Sequence, residues 1–255
     1  MPRVSTVEEL DRAVADFAVA DLDVDIDPPA LAAARRSLEE SGLLLLGEVH
    51  GVRENPLVIR SLMWALGLSG LALEWHEDLR SAAGAFLACG QLADHPLLWF
   101  GDGRITAGHL AVLRERAAAG PLTLMLFDGT ISAGWSWSQR DEAMARRILA
   151  APVPAGGTLV VAGNAHTSTT RTRFGVPLGA HLAGQRPGLR EIRISYGGGR
   201  FYNNEPRRFR RRAGPWGHRT RLREQDGSLI LDLPTAREAV VPQRPMPRPA
   251  GPRLR

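Results

Sequence analysis

Glu48 and His50 stand two residues apart just after an apolar run, Leu43-Leu44-Leu45-Leu46-Gly47. In an extended segment residues two apart point the same way, so both side chains can face one cleft. A carboxylate beside an imidazole favours the protonated ring or fixes its tautomer, which is how a general base is oriented. A second run, Leu159-Val160-Val161-Ala162, ends in Gly163-Asn164-Ala165-His166, again a glycine followed three residues on by a histidine. Between them Leu71-Ala72-Leu73 ends on Glu74. A carboxylate there needs a partner, and His50 or Arg53 would serve. The chemistry offered is general acid–base work by Glu48, His50, Glu74 and His166. Arg53, Glu54, Asp128 and Asn164 form a second rank of substrate-binding candidates: Arg53 to steady an oxyanion, Glu54 as a second acid, Asp128 at another strand end, Asn164 to orient a neighbour. Bland alternatives exist for each alone, such as a capping Glu or a hydrogen-bonded core His. Arg104 and His109 read as surface charge.

The elements that must position these residues follow from pattern. Four leucines without a polar break read as a strand buried on both faces, as in a parallel sheet covered by helices. Strands are expected at 43–47, 70–75, 122–127, 158–162, 189–196 and 228–233. Helices are expected at 6–19, 29–41, 54–67, 78–89, 106–118 and 139–150, with a short helical or irregular stretch over 167–184. Residues 21–29 read as an Asp- and Pro-rich loop, and 129–138 as a small-residue loop with two Trp. Thr167 to Thr170 offer a cap for a helix facing the cleft. Strands alternating with helices imply an α/β fold with a central, mainly parallel sheet flanked by helices on both faces. In such sheets ligands sit beyond the carboxyl ends of the strands, so these strand ends suggest one site.

At 255 residues the chain reads as one domain over 1–241, with 197–225 a long Arg- and Gly-rich loop and 242–255 a disordered Pro/Arg tail. Charge is uneven. Residues 186–255 hold 17 Arg against 6 carboxylates, a net of +11, leaving −6 in 1–185 to give the chain's +5. That basic C-terminal extension reads as a partner-binding or nucleic-acid-binding alternative, with Phe201, Tyr202, Phe209 and Trp216 interleaved for stacking. Nucleic acid is disfavoured, because an Arg-rich loop over the cleft selecting an acidic substrate serves as well. One cysteine, Cys89, excludes an internal disulfide framework. The first residues lack a signal-peptide core, and no run is long and apolar enough to span a bilayer. A cytoplasmic protein without a membrane partner is expected; its oligomeric state is open.

Some chemistries lack support. There is no Gly-x-Ser-x-Gly elbow, and Gly197-Gly198-Gly199 lacks the Lys-Ser/Thr of a phosphate loop. No His-x-x-x-His or Cys pair gives metal-ligand spacing, so no cofactor is required and no metal ligand is assigned. Two His and two Glu from separate strands leave a divalent metal open.

Four short motifs resemble one superfamily. Gly47-Glu48-Val49-His50-Gly51-Val52-Arg53-Glu54 is similar to the Gly-Glu-x-x-His-Gly-x-x-Glu signature of erythromycin esterases, one residue shorter, and to the Gly-Glu-x-His of ChaN-like proteins. Leu73-Glu74 is similar to their second strand end, Arg140-Asp141-Glu142-Ala143-Met144-Ala145 to their Arg-Asp-x-x-Met-Ala helix, and Gly163-Asn164-Ala165-His166 to their Asn-Ala-His strand end. The superfamily also includes TraB/TIKI proteases and a bacterial toxin domain. The resemblance implies a central sheet flanked by helices and a site of Glu and His at strand ends. It implies a hydrolase acting on an ester, lactone or amide of a small molecule or peptide natural product. The chain is shorter than the esterases and lacks much of the insertion that closes over a macrolide. A haem- or metal-binding ChaN-like role is the alternative the resemblance carries.

Overall fold

The leucines of the first buried strand face two ways, and the two faces build two cores. Leu44 and Leu46 pack with Leu71, Leu73, Leu159 and Val161 on one side, and Leu43 and Leu45 pack with Ala72, Val160 and Ala162 on the other. Side chains alternate along a strand, so a strand covered on both faces must be apolar throughout. Burying one leucine fully stabilises by about 1.5–3 kcal/mol.

The computed structural model describes residues 3–19, 22–130, 134–210 and 218–244. The chain opens with β1 (Arg3–Val4), α1 (Val7–Ala15), β2 (Val24–Ile26), α2 (Pro28–Ser41), β3 (Leu43–Glu48), α3 (Asn55–Leu66) and β4 (Gly70–His76). It continues with α4 (Arg80–Cys89), α5 (Ala107–Ala119), β5 (Thr123–Asp128), α6 (Trp137–Ala150), β6 (Thr158–Gly163) and α7 (Leu178–Ala183). Six strands close it: β7 (Glu191–Tyr196), β8 (Gly199–Asn203), β9 (Glu205–Phe209), β10 (Thr220–Gln225), β11 (Ser228–Leu233) and β12 (Val241–Pro242). The main sheet has eight strands in the order β2-β10-β11-β7-β3-β6-β4-β5. All its pairings are parallel except β10 with β11. Helices α2, α3 and α5 cover one face and α6 and α7 the other. The mainly parallel α/β architecture expected from the pattern is present.

The C-terminal part departs from expectation. Residues 197–225 contain β8, β9 and β10, and β10 and β11 sit inside the main sheet. The basic segment is therefore woven into the fold and is not appended to it. In β10 Thr220 and Leu222 are buried while Arg221 and Arg223 point outward, which is the two-residue period of a half-buried strand. Its two arginines are paired, Arg221 with Asp27 and Arg223 with Asp232, and its Glu224 pairs with Arg190. Arg content hid a strand whose apolar positions were few but correctly spaced. The Asp- and Pro-rich loop likewise contains β2, which joins the sheet edge beside β10. Pro242 pairs with Val4 in a small two-stranded sheet. The rest of the expected tail, 245–255, and residues 131–133 of the two-Trp loop lie outside the described residues. Helix α1 ends at Ala15 rather than 19, and α6 begins at Trp137, where Ser136 and Gln139 form a capping box.

Two antiparallel strands, β8 and β9, form a hairpin that reaches back to the end of β3. There the amide of Tyr202 donates to the carbonyl of Gly51 at 3.0 Å. Gly51 has φ +75°, and a Cβ added to it would lie 1.7 Å from the Tyr202 carbonyl oxygen. The left-handed backbone costs an L-residue about 1–2 kcal/mol, and the backbone clash adds to that. Gly51→Ala is therefore expected to lower stability by more than about 2 kcal/mol. Gly90→Ala, at φ +72° with open space around it, should lose only the left-handed penalty. Urea denaturation of the two variants checks the difference; equal losses would mean that the hairpin does not press on Gly51.

Candidate active site

The carboxyl ends of β3, β4, β5 and β6 lie side by side in the sheet, and each delivers an ionisable group. Strand β4 carries one extra residue between Leu73 and His76 relative to β5, a bulge at Glu74 and Trp75. Bulges re-aim side chains near active sites. Here the bulge turns Glu74 toward its neighbours on β3 and β6. Glu74 is 5% exposed. Its Oε1 lies 3.2 Å from Arg140 and 3.6 Å from Arg104, and 3.8 Å from Nε2 of His166. Its Oε2 accepts the amide of Gly163 at 2.9 Å and lies 3.7 Å from Nε2 of His50. Burial raises the pKa of a carboxyl, but His166, His50, Arg104 and Arg140 outweigh it and hold Glu74 at about 2.

Each imidazole is gripped from behind by its own carboxylate. Nδ1–H of His50 donates to Oε1 of Glu48 at 3.1 Å. Nδ1–H of His166 donates to Asp141, 2.8 and 2.9 Å from its two oxygens. Asp141 is fully buried and also accepts the amide of Leu178 at 2.8 Å, so it cannot swing away. Trp137 stacks on the His166 ring, with centroids 5.1 Å apart and planes 18° from parallel. Both rings therefore present Nε2 toward Glu74. Burial lowers the pKa of His50, yet the Glu48 hydrogen bond and the charges of Glu74 and Glu48 prevail, and the net shift is upward.

The segment between Glu48 and His50 is held by polar side chains. The amide of Val49 donates to Tyr196 Oη at 2.9 Å, Tyr196 donates to Asn55 at 2.9 Å, and Asn55 donates to the Val49 carbonyl at 2.8 Å. Gly163 leaves room for that ring: a Cβ there would sit 3.0 Å from Nε2 of His50, so the imidazole would have to shift. On the far side Asp128 accepts from Arg104 at 2.6 Å and from Arg140 at 2.9 Å, and Asp102 grips Arg104 at 2.6 Å.

Of the expected site residues, Glu48, His50, Glu74, His166 and Asp128 come together. Asn164 lies beside them, but its side chain faces a cleft and only its backbone amide bonds, to the Glu48 carbonyl at 2.9 Å. Arg53 does not join: its guanidinium lies over the Phe17 ring, 5.0 Å from the centroid. Glu54 is buried in a pair with Arg237 at 2.6 Å, which ties α3 to the segment before β12. No helix begins at Thr167–Thr170; Thr167 instead donates to Glu191 at 2.6 Å. Arg104 belongs to the site, and His109 is buried, with Nδ1 2.9 Å from the Thr106 hydroxyl and a pKa lowered by burial. Asp141 and Arg140 were visible only as a quoted motif, because a charged pair inside an amphipathic helix looks solvated. Of the four aromatics offered as a stacking signal, Tyr202 is fully buried and bonds Gln243 through its hydroxyl. Trp216 lies outside the described residues.

Two clefts flank the centre. One, of about 640 Å³, opens over β7, β3 and β6; the other, of about 280 Å³, over β4 and β5. A cavity of about 10 Å³ bordered by Glu48, His50, Glu74, Arg104 and His109 is at the limit of what one water occupies, and a porphyrin face does not fit it. Oε2 of Glu48 is buried without a protein partner, so a water there would satisfy it. Among the described residues no His, Cys, Asp or Glu group has the arrangement of a metal site. Glu74 with the two Nε2 atoms is the nearest approach to one, and the two guanidiniums on Glu74 oppose a cation there. No helix among the described residues is long and apolar enough to cross a membrane.

No protein-family model matches the sequence, and no curated protein does. Among solved structures, a Bacillus cereus protein is similar over 93% of this chain and 100% of its own, at TM-score 0.58 and 10% identity. Two structures described as bacterial protein toxins are 21% and 24% identical, with TM-scores of 0.46 and 0.47 over 75% and 74% of this chain. This chain spans only 42% and 39% of theirs. The first likeness shows a shared fold.

Because the native pKa of Glu74 is depressed, its stabilisation is present above the ordinary carboxyl value and lost as pH falls toward 2. Glu74→Gln is expected to cost about 3 kcal/mol at pH 7, since it leaves buried cations without their counter-charge. The gap to wild type should narrow below about pH 4. Urea titrations at several pH values measure this; a pH-independent gap would mean that Glu74 is not the charge holding the centre together.

Proposed function

We propose that this centre hydrolyses an ester, lactone or amide by general acid–base chemistry, with His166 as the base and His50 as the acid. The observation that carries the reading is the symmetric approach of two imidazoles to one carboxylate. Nε2 of His50 and of His166 lie 3.7 and 3.8 Å from Glu74, while each Nδ1 is bound by a separate carboxylate. A core histidine needs one hydrogen bond; two rings backed by acids and aimed at a third acid resemble reaction machinery. Both rings keep part of their surface in solvent, 17% for His50 and 11% for His166, so water reaches them.

In this reading His166 Nε2 takes a proton from water as the water oxygen bonds to the carbonyl carbon. Asp141 holds the ring's tautomer and stabilises the imidazolium that forms. The carbonyl π pair moves to oxygen, and the charge that develops is met by the His50 imidazolium. When the acyl bond breaks, the leaving oxygen or nitrogen takes the His50 proton. Glu74 keeps His50 charged until then, and Arg104 and Arg140 keep Glu74 ionised.

We also propose kinship with the erythromycin esterase/ChaN-like superfamily. What supports it is that the four resembling motifs contribute Glu48, His50, Glu74, Arg140, Asp141 and His166 to one centre. The fold alone does not dictate chemistry.

A screen of esters, lactones and amides, with and without Mn and Zn, identifies the activity. On a substrate found that way, His50→Ala and His166→Ala should each lower kcat on the order of 10²–10⁴-fold with circular dichroism unchanged. Near-wild-type turnover in either variant removes that histidine from the mechanism. As His50 acts protonated and its pKa is raised, kcat/KM should fall on the alkaline side through a pKa above the ordinary histidine value. Glu48→Gln removes the counter-charge and should move that limb to lower pH. A limb that stays put assigns the proton to another group.

A further inference from the structure

The 640 Å³ cleft is larger than the acid–base centre needs, and its chemistry is different. Its floor is the carboxyl edge of β7, β3 and β6, so Val49 and Ala165, the chain neighbours of His50 and His166, line it. Its wall is the β8–β9 hairpin. Phe209 is clamped between Tyr196, stacked at 4.5 Å and 6°, and Phe201, at 4.5 Å and 31°. That aromatic column makes the wall rigid. Three guanidiniums, of Arg193, Arg208 and Arg210, border the space, and no described carboxylate does. Arg193 has Glu191 3.5 Å away. Arg208 and Arg210 have no hydrogen-bond or ion-pair partner among the described residues. Elsewhere in the basic segment Arg190, Arg207, Arg221, Arg223 and Arg237 all carry acidic partners. The side chains of Arg186, Arg200 and Arg219 also lack a partner among the described residues, but it is Arg193, Arg208 and Arg210 that border the cleft.

We infer that the substrate of this centre is a small-molecule anion whose carboxylate or phosphate group lies in this cleft, held by Arg208, Arg210 and Arg193. This rests on the hydrolase reading for the word substrate; the anion site itself does not. Guanidinium forks match carboxylate and phosphate geometry, and a cleft of this volume suits a small molecule. The opposite cleft fixes the orientation. It is bordered by Arg104, by Glu74, Asp102 and Asp128, which are paired with Arg104 and Arg140, and by Leu97 and Phe100, so it offers an anion no unpaired cation and accepts an apolar group. The bond to be cleaved then lies between, at the histidines. A substrate running the other way would put its charge against guanidiniums already held by Glu74, Asp102 and Asp128.

Two measurements test this, one of them independent of catalysis. The first is the ratio of kcat/KM for para-nitrophenyl hemisuccinate to that for para-nitrophenyl butyrate, esters of similar size that differ in one carboxylate. Wild type should favour the hemisuccinate about tenfold or more, and Arg208→Ala/Arg210→Ala should bring the ratio close to one, mainly through KM. A wild-type ratio near one overturns the inference. The second is calorimetric binding of succinate and of pyrophosphate to the full-length protein. Wild-type binding should weaken with salt and be about tenfold or more weaker in the double variant. The two ions separate a carboxylate from a phosphate site. If neither ester turns over, the hydrolase reading is in trouble but the binding result still decides the cleft. Absence of small-anion binding, binding unaffected by the double variant, or binding of RNA or polyglutamate alone overturns the inference.

Discussion

Glu74 sets the terms for the whole carboxyl edge of the sheet. A carboxylate with 5% of its surface in water has lost most of its hydration, and a lone buried charge would protonate rather than stay ionised. It stays ionised because two guanidiniums, two imidazoles and one backbone amide surround it. Those five groups come from the loop before α5, the start of α6, the β3 end and the β6 end. One charge therefore dictates where four otherwise unrelated segments must lie. The β4 bulge is the local backbone expense of aiming that charge along the sheet rather than into a helix layer.

The neighbours need compensation in turn, and the signs alternate outward. Asp102 and Asp128 balance Arg104 and Arg140, while Glu48 and Asp141 balance the two imidazoles. Alternation keeps the desolvated cluster near neutrality. It also couples its members: removing one partner leaves another stranded, so single deletions here cost more than the pair contributes. The coupling also fixes which nitrogen of each ring faces the shared space.

Much of this was legible in the sequence, and the boundary is physical. Apolar strands ending at Glu48, Glu74, Asp128 and Gly163 announced themselves by pattern, because a strand buried on both faces has no polar position to spare. The parallel sheet then forced those ends to one side, which made His50 and His166 neighbours across more than a hundred residues. Arg104, Arg140 and Asp141 were harder. Each lies on a helix or an irregular loop, where charge is the default surface, and nothing local separates a solvated arginine from one beside a buried carboxylate. Arg53 and Glu54 misled for the opposite reason. They follow His50 directly in sequence, but the chain turns at Gly51 and sends them toward Phe17 and Arg237. In the arginine-rich stretch composition conceals the period of a strand: Thr220 and Leu222 alternate inward, and Arg221 and Arg223 face out.

That stretch also explains why the two flanks of the centre differ in how their charges are paired. β4 and β5 end in carboxylates because their residues must balance Arg104 and Arg140. β7 and the hairpin beyond it have no such duty, since the nearest charged ring there, His50, already has Glu48. Arg208 and Arg210 on that side have no acidic partner among the described residues and border the cleft, while Arg193 and Arg207 are paired with Glu191 and Glu205. The carboxyl edge of the sheet therefore carries paired charge at one end and unpaired arginine at the other. The difference follows from how the central carboxylate is neutralised: the arginines nearest Glu74 are spent on it, and those beyond β7 are not.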